Sequence, residues 1–369
     1  MDFTFSEEQD AVRDLATQVM EGHATPERVK EVERSEERVD RELWRALADA
    51  GLLAIAVPEE HGGSGLGLAE LCLLLEQQGR RVAPVPLWPT LVLGAPAIAE
   101  FGSPDQQQSW LPGVARGEVV LTAALAEHGA NDPLHPRATA VRDGDTWRLD
   151  GEKPSVPAAH VADRVLVPAS TGDGELGVFL VDPSGPGVER TVAATTDRSR
   201  VAHLAFSGAF GEQLGADGRR ATAWMLDRAL VGLCATQVGV AEGALRMAAD
   251  YTSERQQFGR PLSTFQGVAL KAADAYIDTE AMRVTLWQAA WRLTAGLDAT
   301  REVMVAKWWA SEGGQRVVHI TQHLHGGMGA DVDYPVHRYF LWGKQIEDTL
   351  GGASAQLARL GRALAEAPA

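Results

Sequence analysis

Arg255-Gln256-Gln257-Phe258-Gly259-Arg260-Pro261-Leu262, followed by Phe265-Gln266 and later by Gln322-His323-Leu324-His325-Gly326-Gly327-Met328-Gly329, decides how this chain is read. Both segments interrupt long helical patterns. Thr222 to Arg255, Gln266 to Ala295 and Thr300 to His323 are rich in Ala, Leu, Val and Met and nearly free of proline, as in an antiparallel helical bundle. Arg255 stands where a helix breaks through Phe258-Gly259 toward Pro261. Glycine there lets the backbone turn and come close to a ligand. Gly326-Gly327-Met328-Gly329 offers side-chain-free backbone beside Gln322. Taken singly, each segment reads as a helix cap or a tight inter-helix turn.

Working outward, residues 1–116 read as a helical domain. Ser6-Glu7-Glu8-Gln9 has the form of a capping box, with Val12, Leu15, Ala16 and Met20 at near-helical spacing behind it. Further helices are expected at Leu43 to Leu53 and Leu68 to Gly79, around the turn-rich Val57 to Gly65. Residues 117–216 change character. Strands are expected at Val119 to Leu125, Val161 to Val167, Val178 to Val181 and Val201 to Phe206, with a hairpin turning at Asp143-Gly144. That spacing predicts an antiparallel β barrel or sandwich. Residues 217–369 form the C-terminal bundle. The fold class is therefore α+β: helical domain, β domain, four-helix-type bundle.

A net charge of −16 argues against non-specific nucleic-acid binding and docking on an anionic membrane. Cys72 and Cys234 sit in apolar surroundings, as buried thiols of a reducing compartment do. Neither a signal peptide nor an apolar run long enough to cross a bilayer is visible, so a cytoplasmic protein is expected. No strand–Gly-x-Gly-x-x-Gly–helix unit signals a nicotinamide cofactor. His319 and His323 lie four apart with His325 behind, but no carboxylate or cysteine completes a metal set at the usual spacing. No metal is expected there.

The two opening segments, in this order and spacing, resemble the flavin-contacting segments of the acyl-CoA dehydrogenase family, and the helical–β–helical order resembles it over the full length. The resemblance implies FAD as cofactor, an acyl-CoA substrate and electron-transfer flavoprotein as acceptor. It assigns FAD contacts to Arg255, Phe258, Gln266, Gln322, Gly326 and Gly327. Arginine suits the FAD pyrophosphate because its planar fork bonds two oxygens at once and keeps its charge.

The same resemblance exposes losses. The family's base lies in a Tyr-Glu-Gly-Thr segment after a Tyr-Pro-Val-x-Arg stretch. Here Tyr334-Pro335-Val336-His337-Arg338 is followed by Thr349-Leu350-Gly351-Gly352. Leu350 cannot accept a proton. Glu347 and Asp348 are neighbours, but Gly351 anchors the register on Leu350. Other family members place a Glu before an Arg on a C-terminal helix, which corresponds to Asp227-Arg228. Asp227 is shorter by a methylene, and it reads equally as an acid offsetting a helix dipole. The family's Thr-Glu-Pro-Gly-x-Gly-Ser-Asp stands as Ala126-Glu127-His128-Gly129-Ala130-Asn131-Asp132, and its Gly-Glu-Lys-x-Trp-Ile-Thr as Gly151-Glu152-Lys153-Pro154-Ser155-Val156-Pro157. The contacts to the flavin ring are missing, whereas those donated to a neighbour's FAD remain.

The expectation is a non-catalytic subunit of a heteromeric acyl-CoA dehydrogenase. The related subunit would supply the glutamate, as in actinobacterial two-plus-two heterotetramers acting on steroid side chains. The alternatives are a self-sufficient dehydrogenase using Asp227 and a non-enzymatic scaffold of the same fold.

Overall fold

Ser6 opens the first helix in the expected way: its Oγ accepts from Gln9 N at 3.2 Å, and Gln9 Oε1 accepts from Ser6 N at 3.1 Å. In the computed structural model, residues 4–129, 132–144, 146–172 and 174–365 are described. The helices of the first stretch are α1 (Glu7–His23), α2 (Pro26–Arg34), α3 (Arg41–Asp49), α4 (Leu68–Arg81), α5 (Ala95–Phe101) and α6 (Pro104–Ala115). Strands follow as β1 (Leu121–Ala123), β2 (Thr139–Asp143), β3 (Thr146–Pro157), β4 (Arg164–Gly172), β5 (Glu175–Val181), β6 (Val188–Ala194) and β7 (Arg200–Gln213). The chain then runs through α7 (Gly218–Glu254), the short strands β8 (Gln256–Gln257) and β9 (Arg260–Pro261), α8 (Gln266–Thr294), α9 (Thr300–Leu324), α10 (Val336–Asp348) and α11 (Ala353–Ala365). Among the described residues, no helix is long and apolar enough to cross a membrane.

By compactness the chain divides into two units. One comprises Glu31–Leu71 and Pro84–Ala229, the other Met1–Lys30, Cys72–Ala83 and Leu230–Ala369.

The first of these holds the β domain. Its strands pair in the order β1-β4-β2-β3-β7-β5, and β5 also pairs with β4, so five strands close on themselves as a barrel. Ala140, Leu149, Val167, Phe179, Leu204 and Phe206 fill its interior. The barrel differs from the expectation in one respect: β1 and β2 both run parallel to β4. A long connection carrying the β2–β3 hairpin separates β1 from β4, which is what parallel neighbours require. The hairpin pairs Asp143 with Thr146 around Gly144; Asp145 lies outside the described residues. β6 escapes a sequence reading because it pairs only with β7 and leaves its side chains exposed beyond Val188. In the same unit Asp40 caps α3, and Trp44 Nε1 donates to Gly117 O at 2.9 Å.

The second unit is helical. Here α7 crosses the end of α4 at bare backbone. A Cβ on Gly79 would lie 2.1 Å from Thr236 O, and one on Gly239 2.0 Å from Glu76 O. Only glycine permits that approach. Lys307 of α9 is fully buried and donates to Ile346 O (2.9 Å), Glu347 O (3.0 Å) and Ser311 Oγ (2.9 Å). It thereby satisfies carbonyls at the C-terminus of α10 that no intrahelical amide reaches.

Candidate functional site

Arg255 follows α7 directly, and Leu262 N donates to its carbonyl at 2.9 Å, closing the β8–β9 hairpin. Phe258 occupies the tip with φ +54° and is 93% exposed. Within its own chain this left-handed, solvated ring meets Phe265 edge-on at 6.2 Å between centroids, a contact that adds little to the fold. Gln266 is the first residue of α8, whose N-terminus carries no side-chain cap and no acidic residue in its first turn. Arg260 lies over Phe265 at 4.1 Å from the ring centroid. An exposed, uncapped helix N-terminus flanked by arginine suits an anion.

The second segment is tied to the first by an aromatic stack. Tyr251 lies one turn before Arg255 and packs against His325 at 4.7 Å between centroids, with Tyr334 at 5.3 Å on that histidine. His325 Nδ1 bonds Thr321 O at 2.7 Å, and burial lowers its pKa. Gly326 and Gly327 follow with open space where a Cβ would be. Gly329 is constrained differently: a Cβ there would lie 2.4 Å from Gln322 O and 2.9 Å from Gln322 Cγ. The glycine thus fixes how the loop packs on Gln322. Gln322 Oε1 is buried without a hydrogen-bond partner, a costly state unless a ligand amide or hydroxyl meets it. Arg255, Phe258, Gln266, Gln322, Gly326 and Gly327 all belong to the helical unit. Sequence reasoning did not single out Tyr251 and read Tyr334 only as the start of the Tyr-Pro-Val-x-Arg stretch, not as a partner of His325; an aromatic one turn from Arg255 was the available signal.

Leu350 lies in the same unit, half-buried with φ +57°. Its carbonyl accepts from Gln356 Nε2 (3.3 Å) and Arg359 Nη1 (3.4 Å), while Gly351 O accepts from Gln356 Nε2 at 3.0 Å. The turn is well held but carries no proton acceptor at its centre. Of the nearby acids, Glu347 is paired with Lys344, and Asp348 lies exposed at the end of α10.

Asp227 belongs to the other unit, half-buried on α7. Its neighbour Arg228 folds back over Trp224, 3.6 Å from the ring centroid, and burial pushes its pKa down to about 10. Also in that unit, Glu127 and Lys153 form an ion pair with both side chains at most 1% exposed. Burial lowers the Lys153 pKa against the pull of Glu127. Immediately beyond, the β3–β7 register shifts between Lys153 and Val156, and Ser155 takes φ +50°. Pro157 contributes only a carbonyl, which accepts from Thr122 Oγ1 at 2.7 Å. Ala130 and Asn131 of the neighbouring stretch lie outside the described residues.

Residues 6–118 match the family profile of the acyl-CoA dehydrogenase N-terminal domain, and residues 216–364 that of the C-terminal domain. The chain is 42% identical to the acyl-CoA dehydrogenase FadE27 of Mycobacterium tuberculosis and 37% identical to FadE28 of the same organism, over 100% and 98% of each pair of chains. Among solved structures it superposes on the Tcur3481-Tcur3483 steroid ACAD with a TM-score of 0.93 at 54% identity, over 98% of both chains. It superposes on the ChsE4-ChsE5 complex from Mycobacterium tuberculosis with a TM-score of 0.95 at 43% identity, over 100% of both chains.

Proposed function

Because this chain belongs to the acyl-CoA dehydrogenase family, oxidoreductases that act on CH–CH bonds and bind FAD, we propose that it is the flavin-completing subunit of a heteromeric acyl-CoA dehydrogenase. The observation that carries this reading is Leu350. A half-buried leucine in a left-handed turn stands where the resemblance places the base, while the segments to which the resemblance gives the FAD contacts keep their residues.

The residues present fit the cofactor. The orphaned Gln322 Oε1 needs a donor, the bare Gly326-Gly327 backbone leaves room for one, and the uncapped α8 N-terminus beside Arg260 can accept an anion. Arg255 and the first amides of α8 would hold the pyrophosphate, Phe258 would offer an aromatic face, and Gln322 with the glycines would complete the cradle. When bound, FAD accepts the β-hydride of the acyl thioester. This chain supplies neither the base that removes the α-proton nor the ring contacts; a related acyl-CoA dehydrogenase subunit supplies both.

A face for that partner is available on α8. Leu270, Ile277, Val284 and Trp291 recur every seven residues and are 57%, 62%, 59% and 38% exposed, forming one apolar stripe along the helix. The names of the two-chain and steroid relatives support a heterotetramer acting on a steroid side-chain acyl-CoA. Electron-transfer flavoprotein is the expected electron acceptor. A second reading, a self-sufficient dehydrogenase, draws on Asp227, an acid kept half-buried beside Arg228.

Flavin absorbance per chain separates these readings. Little flavin in the chain alone, rising to one per unlike pair on co-expression with a related dehydrogenase, supports the complementing subunit. A full complement in the chain alone favours the self-sufficient enzyme. No flavin in any assembly leaves a scaffold.

A further inference from the structure

We infer that His128, Glu152 and His203 form a binding site for a divalent transition-metal ion of zinc-like preference on the outer wall of the barrel. On β7, Ala202, Leu204 and Phe206 point into the core, so His203 between them points outward. Glu152 on β3 pairs with Ala205, which makes Glu152 and His203 diagonal neighbours on that same outer face. His128 arrives from a third element, the turn after Glu127. The buried Glu127–Lys153 ion pair pins that turn to the strand position next to Glu152. Three separate segments are thus brought together by a contact that makes no use of the histidines.

The geometry fits a metal. His128 Nε2 and His203 Nε2 lie 3.6 and 3.7 Å from the same Glu152 Oε2. One donor atom from each of the three residues falls within 4.8 Å of the others. Tetrahedral zinc with bonds of ~2.1 Å sets its ligands ~3.4 Å apart, so small side-chain rotations close the set. The rings are 5.4 Å apart at 49°, not stacked flat, and both Nε2 atoms face the carboxylate. Two imidazoles and one carboxylate form a donor set that zinc accepts and that magnesium or calcium, which take oxygen, does not favour. An open cleft of about 400 Å³, also lined by Arg137 and Gly151, adjoins His128 and Glu152 and leaves a fourth position to water. Bound metal would brace β3, β7 and the turn carrying His128. Sequence inspection misses the set because its members lie on three distant segments.

The test uses the full chain without a polyhistidine tag, in the assembly in which it purifies, after stripping with chelator. Zn²⁺ titration by calorimetry is expected to give one site per chain, and Co²⁺ to give the visible absorption of a tetrahedral centre. His128→Ala and His203→Ala should each weaken zinc binding by at least about tenfold. Zinc should raise the melting temperature of wild type and leave that of each variant unmoved. Both histidines point to solvent, so circular dichroism should show both variants folded. Glu152→Gln, which keeps the shape and removes the charge, serves as a third variant and should also weaken binding. Absence of zinc binding at about 100 µM, or undiminished binding in either histidine variant, overturns the site.

Discussion

Glu76 gives the sharpest quantitative test of the helical unit. Its carboxylate on α4 is 4% exposed and pairs with Arg283 Nη1 at 2.9 Å. Arg283 Nη2 and Arg80 Nη2 both bond Glu242 Oε2 at 2.7 Å. Glu76 Oε1 is left buried with no partner. Burial therefore dominates and pushes the Glu76 carboxyl from 4.5 up to about 7, against the pull of Arg283 and Arg80. Burial also raises Glu242, but there Arg80 and Arg283 prevail and hold it below its ordinary value. A carboxyl whose folded pKa lies above its unfolded one stabilises the fold at low pH, and that stability is lost as pH rises from about 4.5 through about 7. At 1.36 kcal/mol per factor of ten, the loss amounts to roughly 3 kcal/mol. Glu76→Gln removes the titration while leaving Arg283 paired with Glu242. Denaturant unfolding at pH 5 and pH 8 should show wild type losing stability by about that amount relative to the variant. Infrared spectra below pH 7 should carry a protonated buried carboxyl band that the variant lacks. Equal pH slopes in the two proteins, with no band lost, would refute the reasoning.

Arg255→Ala should strip flavin from the co-expressed complex, since one charge-assisted contact is worth roughly 1.5–3 kcal/mol, about 10- to 150-fold in affinity; unchanged flavin absorbance removes the donated-contact assignment. Phe258→Ala should lower flavin content while moving the chain's own unfolding free energy by less than about 0.5 kcal/mol, because that ring is almost wholly exposed. Asp227→Asn should leave turnover of the complex intact; abolished turnover with flavin retained, measured in the isolated chain, would instead favour the self-sufficient reading. Lys307→Met should cost about 1–3 kcal/mol by leaving the Ile346 carbonyl without its donor and the Glu347 carbonyl with Ser311 Oγ alone; a melting temperature equal to wild type would contradict the capping role.

The long helices and the capping box at Ser6 were legible because they rest on local rules: period, caps and the absence of proline. The hairpin at Gly144 was legible for the same reason. β6 was not, since an edge strand with exposed side chains need not alternate. The parallel β1–β4 joint depends on what lies between two distant strands. Of the candidate site, the loops could be read from glycines and arginine, but the unpartnered Gln322 Oε1 and the stack of Tyr251 on His325 exist only once the helices pack. The cluster of His128, Glu152 and His203 is long-range in every pair.

The pattern of retention and loss around Lys153 has a physical order to it. Removing either Glu127 or Lys153 alone would leave a buried charge uncompensated, at a cost of several kcal/mol. No such coupling protects Ser155, which is exposed at a register shift, or Pro157, which contributes only a carbonyl to Thr122. Burial thus ties Glu127 and Lys153 to the fold itself, whereas the fold asks little of Ser155, and on the proposed function the flavin ring asks nothing of it either. The helical unit follows the same logic in reverse. Arg255 and Phe258 are exposed and contribute little to their own fold, which leaves them free for the ligand the proposed function places at that surface. Under the proposed function, solvent-facing cofactor contacts without a buried base are what a chain needs to complete a site whose chemistry lies in a neighbour.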